Sequence, residues 1–252
     1  MKGMRVLVTG GARGIGREIV LTLARGGHDV AFTCRASAEA GADLMRDLTA
    51  AFPEQSFSVH DLDLADRAAV DAFAADIMRA PPLHGFVHNA GASYDSLAAT
   101  IDQDRALALI QVNFWSMTRL AAAARRPMMR AREGRIVAIG SVTAWLGTPG
   151  NACYAASKAA LAGYIRTLAV EVASRGITAN TIAPEFVETD MLAPYRAHCE
   201  RLEKQIPAGR FAQPAEIAGL VRYLLAPEAA YITGAEITID GGLSAVTPAR
   251  LA

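Results

Sequence analysis

The chain has 252 residues, with 25 basic and 25 acidic side chains and a formal net charge of zero. Hydrophobic residues make up 52%, enough for a large core and too many for intrinsic disorder. Charge balance removes the basic surplus that broad nucleic-acid binding needs, and no apolar run reaches the ~18–20 residues of a membrane span.

In chain order, the first apolar run, Val6 to Val8, is short and leads into glycines, so it reads as a buried strand and not as a signal peptide. Candidate strands follow at Arg5–Thr9, Val30–Cys34, Phe57–His60, Gly85–His88, Arg135–Ile139, Ala179–Ala183 and Glu236–Ile239. Amphipathic or alanine-rich segments lie between them, among them Gly16–Arg25, Ala65–Arg79, Asp104–Arg132 and Cys153–Ser174. Apolar runs that hardly alternate imply strands covered on both faces. Strand and helix in alternation imply one α/β domain over 1–252, a doubly wound parallel sheet of Rossmann type with about seven strands and helices on both faces. The proline-rich, charged stretch at about 185–214 reads as a partly helical flap over a cleft. Cys34, Cys153 and Cys199 are odd in number and widely spaced, and the histidines show no ligand spacing. No disulfide framework or metal site is expected, and the thiols suit a reducing, cytoplasmic setting.

The first strand runs into "TGGARGIGREI", with Gly10, Gly14 and Gly16 at a turn that opens a helix at Ile15. Such a turn brings backbone N–H groups and a positive helix end to a pyrophosphate. The spacing is G-x3-G-x-G, and glycines alone would also serve a tight strand–helix turn. An NAD site usually carries an acidic residue after the second strand. Here that strand ends in "FTCRAS", giving Arg35 and Ser37, and Arg13 stands within the loop itself. Two cations near a ribose favour NADPH over NADH.

Ser141 ends the fifth strand, at the sheet edge where ligands bind in open α/β folds. Tyr154 follows near a helix start, and Lys158 lies one turn along the same face. Of 25 basic residues only Lys2, Lys158 and Lys204 are lysine. An ammonium can lower a nearby phenol's pKa and also hold ribose hydroxyls, which a flat guanidinium does less well.

These residues carry a resemblance. Thr9-Gly10…Gly14-Ile15-Gly16, Asp63-Leu64, Asn89-Ala90-Gly91, Asn113, Ser141, Tyr154-x3-Lys158 and Pro184 stand in the order and spacing of classical short-chain dehydrogenases/reductases. Within that family the chain most resembles 3-oxoacyl-(acyl-carrier-protein) reductases, through stretches such as "YAASKAAL", "IPAGRFAQPAEIA" and "AAYITGAEITIDGG". The resemblance implies NADPH-dependent reduction of a 3-oxoacyl thioester by a homotetramer, the acyl group carried on acyl carrier protein or coenzyme A. It implies that Tyr154 protonates the carbonyl oxygen, Ser141 hydrogen-bonds it, Lys158 holds the ribose, and Asn113 anchors a water chain. It places Asp63 and Leu64 at the adenine, Asn89 and Gly91 along the adenosine side, and Pro184, Val187 and Thr189 at the nicotinamide end. Two positions depart from the pattern. Glu185 stands where a glycine is usual and would be strained if that glycine's φ is positive. His88 replaces an asparagine and is read as structural. Arg132 and Arg175 match cations that dock a carrier protein in related reductases, although a helix end also gathers cations to suit its dipole. Two other readings stay open: a dehydrogenase of a free small alcohol, sugar or cyclic ketone, and a nucleotide-binding regulatory subunit without turnover.

Overall fold

Val6, Leu7 and Val8 are sealed from solvent on both sides, as a strand between two helical layers requires. In the computed structural model, which describes residues 3–35 and 38–246, they belong to β1 (Arg5–Thr9). Then follow α1 (Gly14–Arg25), β2 (Asp29–Cys34), α2 (Ala38–Ala51), β3 (Phe57–Asp61), α3 (Arg67–Arg79) and β4 (Gly85–His88). The second half holds α4 (Gln103–Ile110), α5 (Ser116–Ala131), β5 (Gly134–Ile139), α6 (Ala152–Val172), β6 (Ile177–Pro184), α7 (Cys199–Glu203), α8 (Pro214–Leu225) and β7 (Glu236–Ile239). Among the described residues the strands form one parallel seven-stranded sheet in the order β3-β2-β1-β4-β5-β6-β7. This is the doubly wound fold expected. Ser37, and residues 247–252 of the tail, lie outside the described residues.

Each face of the sheet has its own core. Met117, Leu120, Leu161 and Ile165 of α5 and α6 cover Leu7, Phe86 and Ile136 on one face. Ile19, Val20 and Leu23 of α1 and Val221 and Leu224 of α8 cover Val6, Val8 and Val137 on the other. The order reverses between β1 and β4, where successive crossovers depart to opposite faces, so a crevice opens at the carboxyl ends of those strands.

The single helix expected over Asp104–Arg132 is instead α4 and α5 joined by a π-helical turn at Gln111–Trp115. A π-turn inserts one residue into the helical ladder and often marks a functional site. Asn113 sits within it. The 185–214 segment is partly helical, with 3-10 turns over Asp190–His198 followed by α7. Its two ends are stapled where Ala212 N–H donates to Phe186 O and Glu188 N–H donates to Ala212 O, both at 2.9 Å. No helix among the described residues is long and apolar enough to cross a membrane.

Candidate active site

The expected site residues gather because almost every one follows the carboxyl end of a strand. Arg13 and the glycines follow β1, Arg35 follows β2, Asp63 and Leu64 follow β3, Asn89 and Gly91 follow β4, and Ser141 follows β5. Pro184 ends β6, with Val187 and Thr189 just beyond.

The glycine loop has geometry that only glycine supplies easily. Gly10 and Gly14 have φ of +68° and +53°, in the left-handed region. A Cβ on Gly16 would overlap the Gly10 carbonyl oxygen, so the loop closes on itself through that position. The α1 N-cap, Arg13, makes no side-chain capping bond, and the first turn contains no acidic residue. By contrast, Asp66 caps α3 and Asp102 caps α4 with side-chain oxygens. An uncapped helix start behind a glycine loop fits an anionic diphosphate. The Asn89 amide donates to Thr9 O at 3.2 Å and Gly10 O at 3.1 Å, tying the loop to β4.

Beyond β3, Leu64 is buried, and Asp63 accepts from Ala65 N–H at 2.9 Å. Arg35 and Asp63 approach to 3.6 Å with both side chains well exposed. Such a pair is worth at most about 1 kcal/mol, so Arg35 can readily turn to another anion. Arg13 is exposed at the loop.

At the reacting end Ser141 is buried and caps a short 3-10 turn. Its oxygen accepts from Thr143 N–H at 3.2 Å and from Thr143 Oγ1 at 2.8 Å. With both lone pairs engaged, its own O–H is left to donate outward. Tyr154 lies near the start of α6, close enough to Ser141 for that hydroxyl to ease its ionisation, yet burial pushes the phenol up to about 12. The expected lowering by Lys158 is not what the structure shows. The Lys158 nitrogen stands over the tyrosine ring, 5.6 Å from its centroid, and donates to Ile139 O at 2.8 Å. Lys158 is itself only 3% exposed, and desolvation brings it down to about 8. Tyr154 is therefore a protonated phenol near neutrality, suited to give a proton.

Asn113 is wholly buried, and both ends of its amide are committed. Its oxygen accepts from Ala92 N–H at 2.8 Å, and its nitrogen donates to Ala92 O at 3.0 Å and Ser157 Oγ at 2.9 Å. Its side-chain donors are both spent, so a water at Asn113 must donate to an oxygen there, Oδ1 or the backbone carbonyl. Gly91 lies alongside: a Cβ there would stand 3.5 Å from both Asn113 Oδ1 and Lys158 Nζ. Sequence reasoning passed over Thr143 and Ser157, the hydroxyls that orient Ser141 and Asn113.

The two departures also resolve. Among the described residues Arg132 alone has a positive φ outside glycine, so Glu185 carries no strain of that kind. Its half-buried carboxyl is raised to about 7, by desolvation first and by Asp240 second, and its charge in turn opposes ionisation of Tyr154. His88 is fully buried on β4. Arg132 and Arg175 are exposed and adjacent, with Arg132 donating to Ser174 O at 3.0 Å. They precede β5 and β6, whereas Ser141 follows β5. A six-residue strand separates the two ends by about 20 Å.

Comparison with known proteins agrees with this geometry. The family described as enoyl-(acyl carrier protein) reductase matches residues 10–244. The chain is 38% identical over 249 residues to the 3-oxoacyl-(acyl-carrier-protein) reductase FabG of Vibrio cholerae, covering 96% of this chain and 98% of that protein. It is 40% identical over 245 residues to the FabG of Escherichia coli, with the same two coverages. Among solved structures, an actinorhodin polyketide ketoreductase with NADPH superposes with a TM-score of 0.89 at 30% identity, over 96% of this chain and 99% of that one. With its nicotinamide-type glycine loop and its Ser141, Tyr154 and Lys158 set, the chain belongs to the short-chain dehydrogenase/reductase family of oxidoreductases.

Proposed function

We propose that the protein reduces a 3-oxoacyl thioester to the 3-hydroxyacyl thioester, with NADPH as reductant and acyl carrier protein or coenzyme A as the thioester's carrier. The observation that carries this reading is the pair of O–H donors at one point. Ser141 has only its proton left to offer, and Tyr154 is held protonated by burial. Two hydroxyls converging on one oxygen stabilise the negative charge that develops on a carbonyl as it is reduced. NADPH, when bound, would supply the hydride for the carbonyl carbon. Tyr154 would deliver its proton to the oxygen, and Lys158, whose nitrogen lies over the tyrosine ring, would hold the cofactor's ribose. The uncapped start of α1 would hold the diphosphate, and Arg13 and Arg35 would suit a 2′-phosphate, with no acidic residue ending β2 to repel it. The thioester substrate rests on the relatives named above, which match nearly end to end.

The carrier protein would dock at Arg132 and Arg175. These lie about 20 Å of strand away from the end that carries Ser141, and we propose that the protein assembles as a homotetramer. Leu107 and Trp115 near the α4–α5 junction and Val170 on α6 are 66%, 55% and 80% exposed, apolar surface suited to burial between copies.

The test is oxidation of NADPH and NADH with acetoacetyl-CoA by the wild type, Tyr154→Phe and Arg35→Ala. We expect turnover that prefers NADPH, is lost in Tyr154→Phe with cofactor binding intact, and loses its cofactor preference in Arg35→Ala. Turnover of free ketones but not of the thioester would overturn the substrate assignment. Cofactor binding without any turnover would overturn the enzymatic one.

A further inference from the structure

His88 occupies the wall behind the catalytic set. On β4 it sits beside Thr9 of β1 and Ala138 of β5, facing the layer that contains α5 and α6. Thr9 Oγ1 accepts from the N–H groups of Asn89 and Ala90, each at 3.1 Å, which uses both its lone pairs. The Thr9 proton must therefore go to His88 Nδ1, 3.2 Å away. That fixes the tautomer: Nδ1 accepts, and a neutral ring carries its proton on Nε2. Nε2 is fully buried, and the acceptor acting on it is the Asn113 backbone, in a contact too loose to count as a full hydrogen bond. The groups acting on the ring from the facing elements are the Lys158 ammonium and the Asn113 backbone, and burial with Lys158 brings the imidazole down to about 3. The ring is thus a neutral donor at any working pH and cannot itself carry the returning proton. A residue needed only for packing would be apolar here, because a buried N–H held by so loose a contact opposes folding.

We propose that His88 is a positioning residue for carbonyl reduction, its Nε2–H directed at the Asn113 backbone so that proton supply to Tyr154 keeps its alignment. This rests on the reductase reading above. Two variants separate positioning from filling. His88→Asn can still accept from Thr9 and donate through its amide, whereas His88→Leu fills the space and does neither. We expect His88→Leu to lower kcat about ten- to a hundredfold and to change the shape of the kcat pH profile. The Kd for NADPH should stay within about threefold, as for an interaction felt only in the chemical step. His88→Asn should restore kcat to within about threefold of wild type. A leucine variant with wild-type kcat and pH profile overturns the proposal. So does equal damage in both variants accompanied by loss of cofactor affinity, which is what a packing role predicts.

If His88→Leu does not fold, nitrogen-15 spectra of histidine-labelled wild type decide the matter. The expected ring holds its proton on Nε2 and does not titrate between about pH 5 and 9. A proton on Nδ1, or titration near the ordinary histidine value, overturns the donor. Wild type that is inert toward acetoacetyl-CoA would sink the substrate reading instead, and the spectra would still judge His88.

Discussion

Replacing Glu185 with glutamine should make the protein more stable at pH 7.5 and leave it unchanged at pH 4.5. The carboxyl is raised from 4.5 to about 7, chiefly because the fold strips water from it and secondly because Asp240 lies near. Between those values the folded chain keeps a proton that the unfolded chain has already released. Stability therefore falls as pH rises through that window and levels off above 7. A displacement of that size is worth about 3 kcal/mol, and the partial exposure of Glu185 argues for reading it as about 2–3. Glutamine keeps the shape and removes the titration. For a chain of this length each kcal/mol moves Tm by roughly 2–4 °C, so Glu185→Gln should melt about 5–10 °C higher at pH 7.5. The assay is thermal unfolding of both proteins from pH 4.5 to 8 at one protein concentration. Parallel pH curves for the two proteins would refute the reasoning, because they would mean that the carboxyl ionises in the folded state as easily as in the unfolded one. The same substitution removes a negative charge that opposes ionisation of Tyr154, so the basic limb of the reduction rate profile should move to lower pH.

Two further outcomes follow from packing. Gly16→Ala places a methyl group on the Gly10 carbonyl oxygen, so the loop must open; NADPH binding followed by fluorescence should weaken by more than about tenfold, and a wild-type Kd would show that the loop is not the cofactor seat. Lys158→Arg keeps the charge but forces a planar fork into a slot 3% exposed and ended by the Ile139 carbonyl; kcat/KM should fall at least about a hundredfold, nearly as far as in Lys158→Ala, and an arginine variant close to wild type would mean that charge alone suffices.

What was legible in the sequence was what local spacing and strand ends encode. Glycines at a strand–helix turn and a tyrosine four residues before a lysine are patterns within one turn of chain, and the apolar runs marked all the strands to within two residues. The π-turn at Asn113 was not legible, because one inserted residue leaves the helical periodicity on either side intact. The tyrosine's acidity was misjudged for a related reason: a cation nearby in sequence lowers a phenol only if it reaches the oxygen, and Lys158 reaches the ring instead. Glu185 showed no strain because its backbone stays out of the left-handed region, which residue identity alone could not reveal.

The polar framework of the site was silent for a deeper reason. Ala92 and Asn113 are 21 residues apart, Asn113 and Ser157 are 44 apart, and Thr9 and His88 are 79 apart, yet each pair shares a hydrogen bond. A doubly wound sheet makes neighbours of strands by passing the chain through a helix, so the partners that orient a reacting group seldom lie within the few residues over which periodicity speaks. Threonine, serine and histidine are also unremarked in sequence until their lone pairs are counted. Ser141 is a donor because Thr143 fills its lone pairs, and His88 carries its proton on Nε2 because Asn89 and Ala90 fill those of Thr9. In both cases the residue that does the chemistry, or faces it, takes its direction from a hydroxyl whose only sequence signal is being small.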